Sequence, residues 1–387
     1  MRLALILFTV AFFLLATEAL AQQIGSPAEK QTDGIFSAVT QKDAPGLAVL
    51  VRENGRTVFE KGYGVRDLRT HAKIDAHTNF RLASFTKQFT AMAVMLLVHD
   101  HKLRYDETLS QIFPDFPAYG KHITIRNLLN HTGGLPDYED LMTAVETPRD
   151  AWVWTSERQI QDTEVFKLLE AQTKGKFLPG MSWSYSNSGY VVLGLIVAKL
   201  SGQSYRDFLR AHIFAPLYMG HTIVYQKGTN EIENRAFGYS MEGDALKETD
   251  QSSTSATLGD GGIYSNLEDL AKWDDALRKR TLLSADEMVP ALVPARLTDG
   301  SPTFWPAGAN DDNLHPGKPV SYGFGWFLDP YKGHPRMWHT GSTMGFRSVI
   351  ERFTTDHLTI IVLCNRTDLD PEALALKTAD LYLKPAD

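Results

Sequence analysis

Apolar and polar positions change period twice along this chain. Leu47 to Val51 and Thr57 to Gly62 are β-rich runs on either side of Glu53-Asn54-Gly55-Arg56. Asn-Gly between two such runs is a strong hairpin signal, so the chain is expected to open with antiparallel strands. After Arg81 the period lengthens. Phe85, Phe89, Met92 and Leu96 recur at helical spacing, and Ala91, Met95 and Val98 fill a second face, which predicts a helix buried nearly all round. The pattern stays mostly helical to about residue 290. Tyr190 to Leu200 runs apolar up to Ser201-Gly202, Tyr205 to Phe214 forms a second stretch closed by Pro216, and Ser265-Asn266-Leu267-Glu268 fits a capping box ahead of Leu270, Trp273 and Leu277. Residues 290 to 319, rich in Pro and Gly, predict a long loop. Strand-like runs then return from Tyr322-Gly323-Phe324-Gly325-Trp326 through Arg336 to His339, Phe346 to Phe353 and Leu358 to Cys364. Strands at both ends with helices between them predict an α+β fold. One antiparallel sheet would be built from both chain ends, flanked by helices, with a mainly helical region inserted.

The first residues follow a different rule. Arg2, the apolar run Leu3 to Ala16 and the small-x-small step Ala19-Leu20-Ala21 have the layout of a secretory signal peptide. The apolar core is short for a membrane span of ~20 residues. Residues 1–21 are therefore expected to be removed, leaving 22–387 as a single soluble domain, periplasmic or secreted. Its sheet region would cover about 30–82 and 320–387, its mainly helical region about 83–290 and its loop about 290–319. The 387 residues are 43% hydrophobic and 22% charged, an ordinary globular balance. A formal charge of −7 without a basic stripe excludes nucleic acid as a partner class. Cys364 is the only cysteine, so no intrachain disulfide forms, and its apolar strand predicts a packed, inert thiol.

The chemistry begins at Ser84-Phe85-Thr86-Lys87, a hydroxyl and an amine one helical turn apart at the head of the buried helix. On one helix face Lys87 can reach the Ser84 hydroxyl and take its proton, making Ser84 a nucleophile. A lone S-x-x-K arises by accident in a chain of this size, so the reading depends on partners. Two follow in order, Tyr185-Ser186-Asn187 and His339-Thr340-Gly341. His99-Asp100-His101 has the look of a metal pair, but positions i and i+2 diverge on a helix and no third ligand is suitably spaced; no metal or cofactor is expected.

These three motifs, in this order and at these intervals, resemble the S-x-x-K, Y-x-N and K/H-T-G triplet of the serine β-lactamases and penicillin-recognising D-alanyl-D-alanine peptidases, the class C branch in particular. Arg81-Leu82-Ala83, Leu128 to Asp137, Ser188-Gly189-Tyr190, Gly261 to Ser265 and Tyr322 to Trp326 share the resemblance, which runs from about Ile35 to Asn365. It implies a β-lactamase/transpeptidase-like fold and an acyl-enzyme mechanism on Ser84, with Lys87 and Tyr185 sharing the proton traffic. Asn187 would bind a substrate amide or position Lys87. His339, Thr340 and Gly341 would lie on a sheet edge facing Ser84, Gly341 letting the strand approach the substrate. The main-chain N–H groups of Ser342 and Ser84 would form the oxyanion hole. By the same analogy His131-Thr132-Gly133 is a structural turn. The chain departs from the drug-hydrolysing enzymes at His339, where Lys is common. A histidine with a pKa of about 6.5 supplies only weak, pH-dependent attraction for a carboxylate, so replacing it with Lys is expected to improve acylation by penicillins. The resemblance points to a small-molecule or peptide substrate, peptidoglycan-derived peptides included. The activities it implies are a D-amino-acid peptidase, a carboxypeptidase-like or a β-lactamase-related activity, with a broad-specificity esterase or a non-catalytic peptidoglycan- or partner-binding protein that keeps the fold as alternatives.

Overall fold

The computed structural model describes residues 26–145, 153–308 and 315–385. The signal peptide expected over 1–21 lies outside them. Numbering only the elements used below, the chain runs α1 (Pro27–Ser37), β1 (Leu47–Glu53), β2 (Arg56–Tyr63), α2 (Lys87–His99), α3 (Asn187–Ser201), α4 (Leu267–Lys279), β3 (Arg336–Thr343), β4 (Phe346–Phe353), β5 (Leu358–Cys364) and α5 (Pro371–Ala379).

The main sheet has the order β3-β4-β5-β1-β2, every pair antiparallel, so the N-terminal hairpin docks onto three C-terminal strands as the pattern predicts. The hairpin turns at Asn54 (φ 52°) and Gly55 (φ 78°), the left-handed pair that an Asn-Gly turn demands. Strand β5 is buried throughout because both faces of the sheet are covered. Its residues alternate between two cores. Ile361 and Leu363 join the large core on the helical side, while Leu358, Ile360, Val362 and Cys364 pack with Phe36 of α1 and Ala375 and Ala379 of α5. Cys364 is fully buried, and its surroundings push the thiol pKa up.

Helices α2 and α3 form the centre of the large core and are covered on nearly every side, as their apolar faces require. The structure differs from the pattern in four places. Helix α4 is capped by Asn266, whose side chain accepts from Asp269 N, because Ser265 is held in a strand, Ile263–Ser265, paired with Phe80–Arg81 and Ile223–Val224. The stretch Tyr205 to Phe214 is an α turn that widens into a π turn at Arg210–Phe214. Tyr322 to Trp326 forms a turn closed by Gly323 N and Trp326 O rather than a strand. The loop over 290–319 contains a short ribbon, Thr303–Phe304 with Pro319–Val320, over an aromatic cluster of Trp183, Trp305, Tyr322, Phe327 and Trp338.

Candidate active site

Ser84 lies in a 3-10 turn, Ala83–Thr86, and Lys87 opens α2 directly behind it. In a 3-10 turn residues i and i+3 eclipse, so the serine and lysine side chains stand one above the other more closely than an α-helix would place them. Ala83 holds φ 50°, a left-handed conformation that costs a residue with a Cβ on the order of 1 kcal/mol. That residue makes the corner between the Phe80–Arg81 strand and the turn carrying Ser84. The corner is fastened from outside: Leu82 N donates to Ile263 O, Ser348 Oγ to Leu82 O, and Arg81 to the main-chain oxygens of Gly261 and Ser255.

Lys87 is 0% exposed. Its Nζ is 3.0 Å from Ser84 Oγ, 2.9 Å from Asn187 Oδ1 and 3.1 Å from the main-chain oxygen of Asp260. The ring of Tyr185 stands 4.8 Å from the same atom. These three oxygens belong to neutral groups, and their geometry serves both states of the amine. An ammonium donates to all three. A neutral amine donates to Asn187 and Asp260 and offers its lone pair to the Ser84 hydroxyl.

Tyr185 and Asn187 are placed by the start of α3. Ser186 caps that helix, its Oγ accepting from Gly189 N. The cap and first turn of α3 are bound to Leu129–Tyr138: Ser186 N donates to His131 Nδ1, Asn187 N to Asp137 Oδ2, Tyr138 N to Ser188 Oγ, and Tyr190 Oη to Leu129 O. The His131 ring lies 4.5 Å from Tyr185 and 4.6 Å from Tyr322. His131 therefore sits behind Tyr185, where burial first, then the positive charge of Lys87 and the neighbouring His339, hold its pKa well below the ordinary value.

His339, Thr340, Gly341 and Ser342 all lie in β3, the edge strand of the sheet. Ser342 is exposed and lines one polar cleft with Ser84, Asn187, Tyr138, Glu139 and Asp260. Two expectations change here. A Cβ on Gly341 would overlap Leu82 O and Ser348 Oγ, so this glycine lets β3 close on the segment that carries Ser84, a demand the sequence did not show. His339 is 1% exposed, with Nδ1 2.6 Å from Thr340 O and Nε2 3.0 Å from the Tyr322 hydroxyl. Burial and the nearby Lys87 lower its pKa to about 3. Because a carbonyl can only accept, Nδ1 carries the proton, and the neutral ring takes the Tyr322 proton at Nε2. The imidazole supplies no pH-dependent attraction for carboxylates near neutrality. A lysine there would bury a second ammonium beside Lys87, so the gain expected from His339→Lys is withdrawn.

The sign of the linkage follows. In the unfolded chain each histidine binds a proton below pH ~6.5, and in the folded chain His131 and His339 do not. The contribution of His339 is complete above that value and is lost as pH falls toward about 3, at up to about 1.4 kcal/mol per pH unit, and that of His131 changes in the same direction. The melting temperature should therefore drop steeply between pH 6.5 and 4.5, and less steeply in His339→Gln, whose amide can serve the same two partners. An NMR titration placing His339 near 6.5 would contradict this.

Sequence reasoning did not identify Asp260, Tyr138, Glu139 and Tyr322 as cleft or supporting residues. The letters around Leu128 to Asp137 and Gly261 to Ser265 pointed to their neighbourhoods, but not to which side chains turn inward. Among the described residues no cluster of His, Cys, Asp and Glu could hold a metal, and no helix is long and apolar enough to cross a membrane.

A family model described as Beta-lactamase matches residues 29–383. Penicillin-binding protein 4* of Bacillus subtilis (strain 168) is 31% identical over 375 residues, covering 92% of this chain and 77% of its own length. The crystal structure of D-amino acid amidase from Ochrobactrum anthropi SV3, complexed with L-phenylalanine, superposes with a TM-score of 0.73 at 25% identity, covering 92% of this chain and 97% of that one. The octameric penicillin-binding protein homologue from Pyrococcus abyssi shares the fold, with a TM-score of 0.72 at 23% identity over 91% of this chain and 75% of that one.

Proposed function

We infer, from the premise that the chain belongs to the beta-lactamase family, that it is an exported serine hydrolase cleaving an amide or ester through an acyl-enzyme on Ser84. The observation that carries the reading is Lys87 Nζ held at once by Ser84 Oγ, Asn187 Oδ1 and Asp260 O in a fully buried position. In this mechanism Ser84 Oγ attacks the carbonyl carbon while its proton passes to the Lys87–Tyr185 pair. The tetrahedral oxyanion rests on the main-chain N–H groups of Ser84 and Ser342, each such donor being worth ~3 kcal/mol in the transition state. Tyr185 protonates the departing amine or alcohol, and water then releases the acyl group.

The cleft favours a D-amino-acid peptidase or amidase over a β-lactam or a free terminal carboxylate. Its lining carries the carboxylates of Glu139 and Asp260; of its guanidinium, Arg81, Nε and Nη2 are bound to main-chain oxygens and Nη1 is buried, and His339 behind the cleft is neutral. A substrate presenting an amino group suits this lining better than one presenting a carboxylate. The likeness to D-amino acid amidase supports the same class. Export rests on residues 1–21; an intact Met1 on protein recovered outside the cytoplasm would rule cleavage out.

The test is a fluorescent phosphonate together with a substrate panel. Wild type should be labelled and Ser84→Ala should not, and nitrophenyl ester hydrolysis should fall at least about 10³-fold in the variant. In the panel, D-amino-acid amides should be turned over faster than D-Ala-D-Ala peptides and a chromogenic cephalosporin. Preference for short acyl esters would select the esterase reading. Equal ester hydrolysis by wild type and Ser84→Ala would end the Ser84 mechanism, and a wild type that neither labels nor hydrolyses would leave a binding protein.

A further inference from the structure

A second cavity, of about 250 Å³, lies under the sheet at the opposite end of β3 from the cleft. Met337 lines it, and at ~3.3 Å per residue the strand carries the chain ~16 Å from there to Ser342. The two hollows have no lining residue in common. The register of the sheet builds this one. Met337 stands opposite Arg352, Arg352 opposite Thr359, and Thr359 opposite Arg52, a row crossing four strands on the face that meets α4. Arg52, Arg352 and Thr359 converge on one buried carboxylate, Asp274, at 2.7, 2.8 and 2.8 Å.

Charge in this row is not balanced. Four cations (Arg52, Arg278, Lys279 and Arg352) share the carboxylates of Asp274 and Asp275 in one network of ion pairs. Arg280, exposed at the end of α4, adds a further cation to the mouth and makes no ion pair among the described residues. Arg352 is 8% exposed, and its Nη1 donates to the thioether of Met337, a weak acceptor that leaves this nitrogen able to serve a better one. One wall is apolar, formed by Leu277, Met288, Leu292 and Phe353, while Thr354, His357 and Thr359 add polar groups; Leu292 and its neighbour Val293 are 43% and 55% exposed.

We propose that this cavity is a binding site, separate from the Ser84 cleft, for a carboxylate carried on an apolar body, such as a medium-chain fatty acid. The headgroup lies against the guanidinium of Arg352 between Arg278 and Arg280, whose planar forks match a carboxylate. The tail runs along Leu277 and Met288 to Leu292. An anion offsets the excess of cations, and the hydrocarbon covers apolar surface that now faces water.

Calorimetric titration of the full-length protein with octanoate tests the assignment. Wild type should show one saturable site, and Ser84→Ala should bind equally well. Arg278→Ala with Arg280→Ala should weaken binding at least about tenfold, and so should Leu292→Glu, which sets a carboxylate in the mouth. These positions are exposed, and unchanged melting temperatures would show the variants folded. Octanol matching octanoate would overturn the anionic headgroup, and inorganic phosphate matching it would overturn the apolar body. No saturable binding, binding untouched by both cavity variants, or binding lost in Ser84→Ala would overturn the site.

Discussion

Lys87→Ala is expected to lower the rate of phosphonate acylation and of ester turnover by at least about 10³-fold, the range lost when a group that moves a proton in the transition state is removed. Stability should fall too, because Asn187 Oδ1 and the Asp260 main-chain oxygen lose a buried donor, at about 1–3 kcal/mol for each unsatisfied group. The two effects separate in Lys87→Arg. A guanidinium keeps the positive charge and can donate to the same oxygens, but it cannot take a proton at any accessible pH. If Lys87 serves as a proton acceptor, the arginine variant is as slow as the alanine one; if it serves only as a charge, the arginine variant recovers much of the rate. Acylation of Lys87→Ala at the wild-type rate would remove the lysine from the mechanism altogether.

The second large effect concerns a residue with no functional group. Gly341→Ala should cost about 3 kcal/mol of stability or more and reduce activity about 10²-fold, because the new methyl meets the Leu82 main-chain oxygen and Ser348 Oγ. Neither can yield cheaply. Leu82 O accepts from Ser348 Oγ, and Leu82 N is bound to Ile263 O, so relief comes only by moving β3 away from the turn that carries Ser84. Gly34→Ala is the control, an exposed α1 glycine whose added Cβ meets nothing within 4 Å. It should stabilise by up to about 1 kcal/mol through helix propensity. Thermal denaturation and acylation kinetics on the three proteins decide the matter, and Gly341→Ala behaving like Gly34→Ala would refute the packing argument.

How far the sequence carried depends on the range of each interaction. The Asn54-Gly55 hairpin, the all-round burial of α2 and the buried run of β5 are properties of short windows, and they were legible. The convergence of Ser84, Lys87, Tyr185 and Asn187 was legible because three motifs came in order, although the turn holding Ser84 is 3-10 rather than α. His339 was misjudged for a physical reason. Its burial is set by Tyr322 and by the aromatic cluster beyond it, which no local pattern reveals, and burial together with the charge of Lys87 separates a neutral imidazole from a titrating one. Gly341 was read as clearing space for a substrate; that it also clears space for Leu82 O was not legible, since the facing segment lies in a distant part of the chain. The cap of α4 moved from Ser265 to Asn266 because a cross-strand pair claimed the serine first. Asp260 and Glu139 carry no motif of their own and became visible only once the cleft had walls.

The pairing of Leu47 with Cys364 places β1 in the interior of a sheet whose other neighbour arrives only near the end of the chain. During synthesis on the ribosome, the early hairpin must wait for the whole inserted helical region and for β5 before it can dock, and contacts so distant in sequence make assembly slow. The serine turn leans on that same late strand set through Ser348 and Gly341. A nascent chain therefore lacks the packing that fixes the Ser84 turn until β3 and β4 have been made.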